Sequence, residues 1–139
     1  FMPTVEKEIK FGAKSNEFAD EIAEKFGVKH LYARHPQSLS EGQKRRVSIA
    51  AVVATDPEVL ILDEPTVGQD YKGLCEMVEV LNKLHEETHN TMITVTHDKR
   101  CAAALCDRSI WVKDGKTYKT GGKTLVNEFF EAQSDILKN

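Results

Sequence analysis

Val59-Leu60-Ile61-Leu62-Asp63-Glu64-Pro65-Thr66-Val67-Gly68-Gln69-Asp70 is the stretch that decides the fold. A nearly continuous apolar run closed by two acids reads as a short strand buried on both faces. In open α/β sheets ligands bind beyond the carboxyl ends of the strands, and a buried strand has no structural use for adjacent carboxylates at its exit. One acid can hold Mg2+, usually through water, while the other takes a proton from an attacking water. Taken alone, the pair also fits two solvated loop acids, so the flanking sequence has to decide.

Upstream, Asp56-Pro57 breaks a helix that runs back from about Ala54 to Ser40. Ser40 stands three residues before Gln43, the capping-box spacing. His30 to Ser38 is a connector marked by Pro36. Before it, Phe18, Ile22 and Phe26 recur at helical spacing after Ser15, and Gly27 stops that helix. Downstream, Leu74, Met77, Val78, Leu81 and Leu84 hold a 3.6-residue period from Asp70 to about Thr88. Thr91 to Thr96 is β-branched and strand-like, ending at His97. A short helix over Lys99–Leu105 follows, then a strand over Ser109–Lys113 turned by Asp114-Gly115 into Lys116–Lys119, and a last helix over about Leu125–Leu137. Helices alternating with buried strands predict an α/β fold with a largely parallel sheet and an edge hairpin.

Bulk properties narrow the function classes. The 139 residues suffice for a real core. A net charge of −3, from 19 Lys+Arg against 22 Asp+Glu, is not the basic field of a nucleic-acid binder. Three cysteines without a CxxC pair fit a reducing cytosol. The apolar stretches Ile49–Ala54 and Val59–Leu62 fall short of the ~20 residues needed to cross a bilayer, so a membrane role must come through a partner. Phe1-Met2-Pro3 is neither a signal pattern nor an initiator start, and further residues are expected upstream.

Four motifs stand in order: Leu39-Ser40-Glu41-Gly42-Gln43-Lys44-Arg45-Arg46, the strand ending in Asp63-Glu64, Pro65-Thr66-Val67-Gly68-Gln69-Asp70, and Thr96-His97-Asp98. In that order and spacing they resemble the signature motif, Walker B strand, D-loop and switch histidine of the ABC transporter ATPase family, over about residues 38–98. The resemblance implies a P-loop NTPase-like (RecA-like) parallel sheet core with part of a helical subdomain. Residues 1–55 would belong to the helical subdomain and 56–139 to the C-terminal part of the core. It implies ATP and Mg2+ as cofactors, with Asp63 as the Mg2+ carboxylate, Glu64 as the general base and His97 as the γ-phosphate contact. Ser40, Gly42 and Gln43 would touch the ATP of a second ABC ATPase domain in a head-to-tail dimer, and Asp70 would cross that interface. A helix start favours an anion by ~0.3–1 kcal/mol when exposed, which gives this end of the helix an independent physical sense.

Two departures from the family pattern stand out. Glu41 occupies the place of a second glycine, where a carboxylate repels phosphate unless it points into solvent. Gln69 stands where the family usually has Leu. Gly68-Gln69-Asp70 after Asp63-Glu64-Pro65-Thr66 looks like the energy-coupling-factor (cobalt-type) branch, whose ATPases power vitamin and metal-ion uptake, and Thr4–Gly12 resembles the segment after that branch's Q-loop. The implied protein is the ATPase subunit of an importer, cytoplasmic and peripheral at the inner face of the membrane, working on a transmembrane transporter subunit and not on nucleic acid.

No phosphate-binding loop is found. Gly115-Lys116-Thr117 and Gly122-Lys123-Thr124 end like GxxxxGK[ST], but Ile110 and Thr117 stand where the first glycine belongs. These 139 residues alone are therefore expected not to hydrolyse ATP. His85 and His89 have a metal-capable i, i+4 spacing without a third ligand and read as surface residues. Lys44-Arg45-Arg46 reads as a helix flank with salt-bridge partners. Two other readings stay open: a soluble ABC ATPase acting on ribosomes or DNA, and a non-catalytic half presenting Ser40 to a partner's ATP.

Overall fold

The computed structural model describes residues 2–136. Three helices lead. In α1 (Val5–Lys10), Thr4 accepts the amide of Lys7, and Val5 and Ile9, one turn apart, are fully buried. In sequence, the only periodic signal of this helix is that single apolar pair. In α2 (Asn16–Lys25), Ser15 accepts the Phe18 amide and the buried face is Ala19, Ile22 and Ala23, with Phe26 buried at the C-cap. Two 3-10 turns, Lys29–Leu31 and Pro36–Ser38, carry the connector to α3 (Glu41–Val53).

After a turn at Asp56, which takes φ 56°, strand β1 (Val59–Asp63) leads through a loop to α4 (Tyr71–Thr88) and parallel strand β2 (Thr91–Val95), a βαβ unit. The register pairs Ile61 with Ile93 and Asp63 with Val95. Asp70 caps α4, accepting the Gly73 amide, and His89 ends it in the left-handed conformation. Then come α5 (Lys99–Leu105), the antiparallel hairpin β3 (Ser109–Lys113) and β4 (Lys116–Gly121), and α6 (Lys123–Ile136). The expected end of the last helix at Leu137 lies outside the described residues.

One buried cluster runs from α1, α2 and α3 through Leu60 and Leu62 of β1 to Met77, Leu81 and Leu84 of α4. It crosses the turn at residues 55–56, so the helices and the strand end are held by a shared core. Two expectations need correction. β1 is covered on one face only: Leu60 and Leu62 are buried, whereas Ile61 on the other face is 66% exposed. Val59, Ile93 and Val95 share that exposure, because the described residues place a layer on a single side of the two-stranded sheet. The hairpin also forms its own sheet and does not extend the parallel one. It is held instead by aromatic packing, with Trp111 edge-on to Tyr118 and to Phe129 of α6.

Candidate functional site

The strand end and the residues after β2 meet. Glu64 takes φ 47°, an uncommon conformation for a side-chain-bearing residue, and its amide donates to the Val95 carbonyl at 2.8 Å. That turn aims its carboxylate at the chain leaving β2. Glu64 Oε1 accepts the His97 amide at 3.1 Å and lies 2.6 Å from His97 Nδ1, so the Nδ1 proton faces the carboxylate. Among the described residues Glu64 Oε2 accepts only the Thr96 hydroxyl, at 3.3 Å, and that hydroxyl in turn accepts the Asp98 amide. The hydrogen bond and charge of Glu64 raise the His97 pKa above its ordinary 6.5. The ring is otherwise 80% exposed, leaving Nε2 toward solvent. Asp63 ends β1 with an exposed side chain that forms no hydrogen bond among the described residues. Asp98 caps α5 through the amides of Arg100 and Cys101, and the Arg100 guanidinium holds its carboxyl below the usual range.

The second cluster is the start of α3. Ser40 Oγ accepts the Gln43 amide and Gln43 Oε1 accepts the Ser40 amide, a complete capping box. This leaves the Ser40 hydroxyl proton, the Gln43 side-chain NH2 and the amides of Glu41 and Gly42 without an acceptor among the described residues. Glu41 is 81% exposed and paired with Lys44, whose ammonium lowers its carboxyl pKa. The glutamate in place of a glycine is therefore solvent-exposed, with its charge paired.

Loop residues 65–70 link the clusters. Pro65 and Thr66 are buried, Gly68 takes φ 78°, and Gln69 Nε2 donates to the Gly42 carbonyl at 2.9 Å. Arg46 then joins Gln69, the Gly73 carbonyl and Glu76 of α4. Gly42 has a local steric role besides any ligand contact, since a Cβ there would sit 2.8 Å from the Gly68 carbonyl oxygen. Asp70 sits at the end of this loop as the α4 cap.

Of the residues singled out from sequence, Glu64 and His97 are in direct contact, and Asp63 adjoins them in the chain. Ser40, Gly42 and Gln43 form the second group, with Asp70 at the far end of the connecting loop. Thr96 and Arg46 gain roles that spacing did not reveal. For Thr96 the available signal is a hydroxyl residue directly before the histidine; for Arg46 the basic run on a helix flank points to a salt-bridge partner, which is Glu76, but not to the contact with Gln69. His85 contacts the Asn90 carbonyl at 2.9 Å through Nδ1, and no group of three metal-ligating residues occurs among the described residues. Gly115 makes the hairpin turn, and Gly122-Lys123-Thr124 starts α6 after a fully exposed strand.

The parallel βαβ unit, with Asp63, Glu64 and His97 at its strand exits, superposes on ATPase domains of the P-loop NTPase fold. The family described as ABC transporter matches residues 2–67. The energy-coupling factor transporter ATP-binding protein EcfA2 of Enterococcus faecalis is 43% identical over 87% of this chain and 45% of its own length. The solved structure of cbiO1 from Clostridium perfringens, described as part of the ABC transporter complex cbiONQ, superposes with a TM-score of 0.79 at 31% identity, over 98% of this chain and 57% of that one. The ATP-binding cassette MJ0796, in a dimeric post-hydrolysis state bound to ADP and Pi, gives 0.77 at 28% identity, over 88% and 58%. The chain belongs to the ABC transporter ATPase family, with energy-coupling-factor ATP-binding proteins among its relatives. It spans about half the length of the curated relatives it matches.

Proposed function

We propose that the chain supplies the base, the Mg2+ carboxylate and the signature-helix donors of an ATPase that drives an energy-coupling-factor type importer. The observation that carries this reading is the Glu64 carboxylate, fixed at a strand exit by His97 and Thr96 with one oxygen only lightly engaged. Glu64 Oε2 is the oxygen open to a water, and its fixed position favours proton abstraction. His97, with its pKa raised, carries protons on both ring nitrogens over a wider pH range, so the exposed Nε2–H can donate to a phosphate oxygen.

Mg2+ is commonly held by one or two carboxylates together with phosphate oxygens and water, and a single unpaired Asp63 fits that donor set. The metal would offset charge on the phosphates. The unengaged donors at the start of α3 suit the terminal phosphate of ATP held by a second ATPase domain, and Asp70 would lie at that interface. The phosphate-binding loop would come from residues other than these 139, so they alone would bind and turn over no ATP. Residues 1–55 would form part of the helical subdomain and 56–139 part of the core. No described helix is long and apolar enough to cross a membrane, and the motor would act at the cytoplasmic face through a transmembrane subunit. Purification of the whole protein from membranes tests the reading. Co-isolation with an integral membrane protein, released by detergent and not by ribonuclease, supports it; co-sedimentation with ribosomes in place of membranes overturns it.

A further inference from the structure

We propose that Gln69 is a positioning residue that locks the start of α3 to the loop leaving Glu64, so that the two halves of the site keep one geometry. The inference rests on the ATPase reading for its consequence in turnover, but the lock itself stands on contacts. Gln69 Nε2 donates to the Gly42 carbonyl at 2.9 Å, and Oε1 of the same amide accepts Arg46 Nε at 3.2 Å. Only an amide of this length places a donor and an acceptor on one planar centre. Glu would lose the donor, and Leu or Met would lose both.

The bridge is braced on each side. Arg46, its side chain 19% exposed, reaches α4 through Glu76 at 2.8 Å and the Gly73 carbonyl at 3.3 Å. Gly42 is sterically required at the crossing, and Gly73 leaves room for the side chains of the bridge. A Cβ on Gly42 would meet the Gly68 carbonyl oxygen at 2.8 Å, and one on Gly73 would meet Gln69 Oε1 at 2.7 Å. Thus Gly42, whose neighbours in α3 face outward as donors, has its carbonyl and Cα pinned by the loop that begins at Glu64. The Gln69 amide hydrogen-bonds both Gly42 and Arg46 on α3, and Arg46 carries the link on to α4. A displacement of the α3 start is thereby transmitted to residues 66–70 and toward Glu64.

The test is amide hydrogen exchange on the full chain, comparing wild type with Gln69→Met and Arg46→Lys. Met keeps the length of the side chain and removes both hydrogen bonds; Lys keeps the charge opposite Glu76 and removes the guanidinium Nε–H. Exchange at the hydrogen-bonded amides of Gln43, Lys44, Val67 and Gln69 is expected to rise about five-fold or more together in Gln69→Met, and at the same amides to a smaller degree in Arg46→Lys. Protection in α1 and α2 stays unchanged, and the double variant adds nothing beyond Gln69→Met. Unchanged exchange at the Gln43 and Lys44 amides in both variants overturns the proposal, as does acceleration spread evenly over the chain. In the whole ATPase, Gln69→Met is expected to lower kcat about ten-fold with KM for MgATP held within two-fold, whereas an unchanged kcat with coupled loosening overturns the positioning role. If wild-type protein shows no turnover, the ATPase reading fails and the exchange result still judges the lock.

Discussion

Replacing Gly42 by Ala tests how closely α3 and the loop after Glu64 are packed. The added Cβ would lie 2.8 Å from the Gly68 carbonyl oxygen and 3.2 Å from Gln69 Nε2. The first distance is about half an ångström shorter than even a close C···O contact of ~3.3 Å. Gly68 holds φ 78°, which restricts how its carbonyl can retreat. Overpacking of this kind costs about 1–3 kcal/mol. The gain from Ala over Gly is at most ~1 kcal/mol in a helix interior and smaller in a first turn. The balance is a loss of about 1–2 kcal/mol, or a fall in Tm of about 4–8 °C for a chain of this size. Gly122→Ala is the control, because its Cβ would meet the Asp107 carbonyl oxygen at an ordinary 3.5 Å; its Tm should stay within ~2 °C. Thermal unfolding followed by circular dichroism reads both. A Gly42→Ala protein as stable as wild type, with unchanged exchange at residues 67–70, would refute the packing argument.

Three further outcomes are expected. The His97 ring should titrate above 6.5 by NMR and return toward that value in Glu64→Gln, and its contact with Glu64 should be fully present below pH 6.5 and lost as pH rises through the raised folded-state pKa; a wild-type ring titrating at or below 6.5 would contradict the pairing. Leu81→Ala removes a fully buried side chain between α4 and the shared core and should cost about 2–5 kcal/mol by urea denaturation, against less than ~1 kcal/mol for Lys83→Ala on the exposed face. Iodoacetamide should label exposed Cys75 in the native chain and spare Cys101, which is buried and has its thiol pKa pushed up chiefly by that burial; native labelling of Cys101 would contradict its place in the core.

Much of this was legible in the sequence because local chemistry and tertiary placement agree. Ser40 and Gln43 signal their own capping box, Asp70 and Asp98 stand where helices begin, and the period from Leu74 to Leu84 marks the face that is buried. The pairing of Glu64 with His97 could be anticipated only through the family pattern, since it joins residues 33 apart by a strand register. Helix α1 was missed because six residues offer too little periodicity to stand out. The exposed face of β1 was misjudged because an apolar run records that a face can be buried, and says nothing of whether its cover lies among the same residues. The Gln69 bridge was invisible for a different reason: a hydrogen bond between a loop side chain and a backbone carbonyl 27 residues away leaves no pattern in composition or spacing.

Glu64 is proposed as the base and Asp63 as the metal carboxylate of an ATP-hydrolysing site. Single-turnover hydrolysis of MgATP by the whole protein, with nucleotide binding measured in parallel, tests it most directly. The account predicts that Glu64→Gln binds MgATP with Kd within about three-fold of wild type while its chemical step slows ~100-fold or more, in keeping with the 10²–10⁴-fold worth of a positioned base. Turnover in Glu64→Gln within a few-fold of wild type would contradict it.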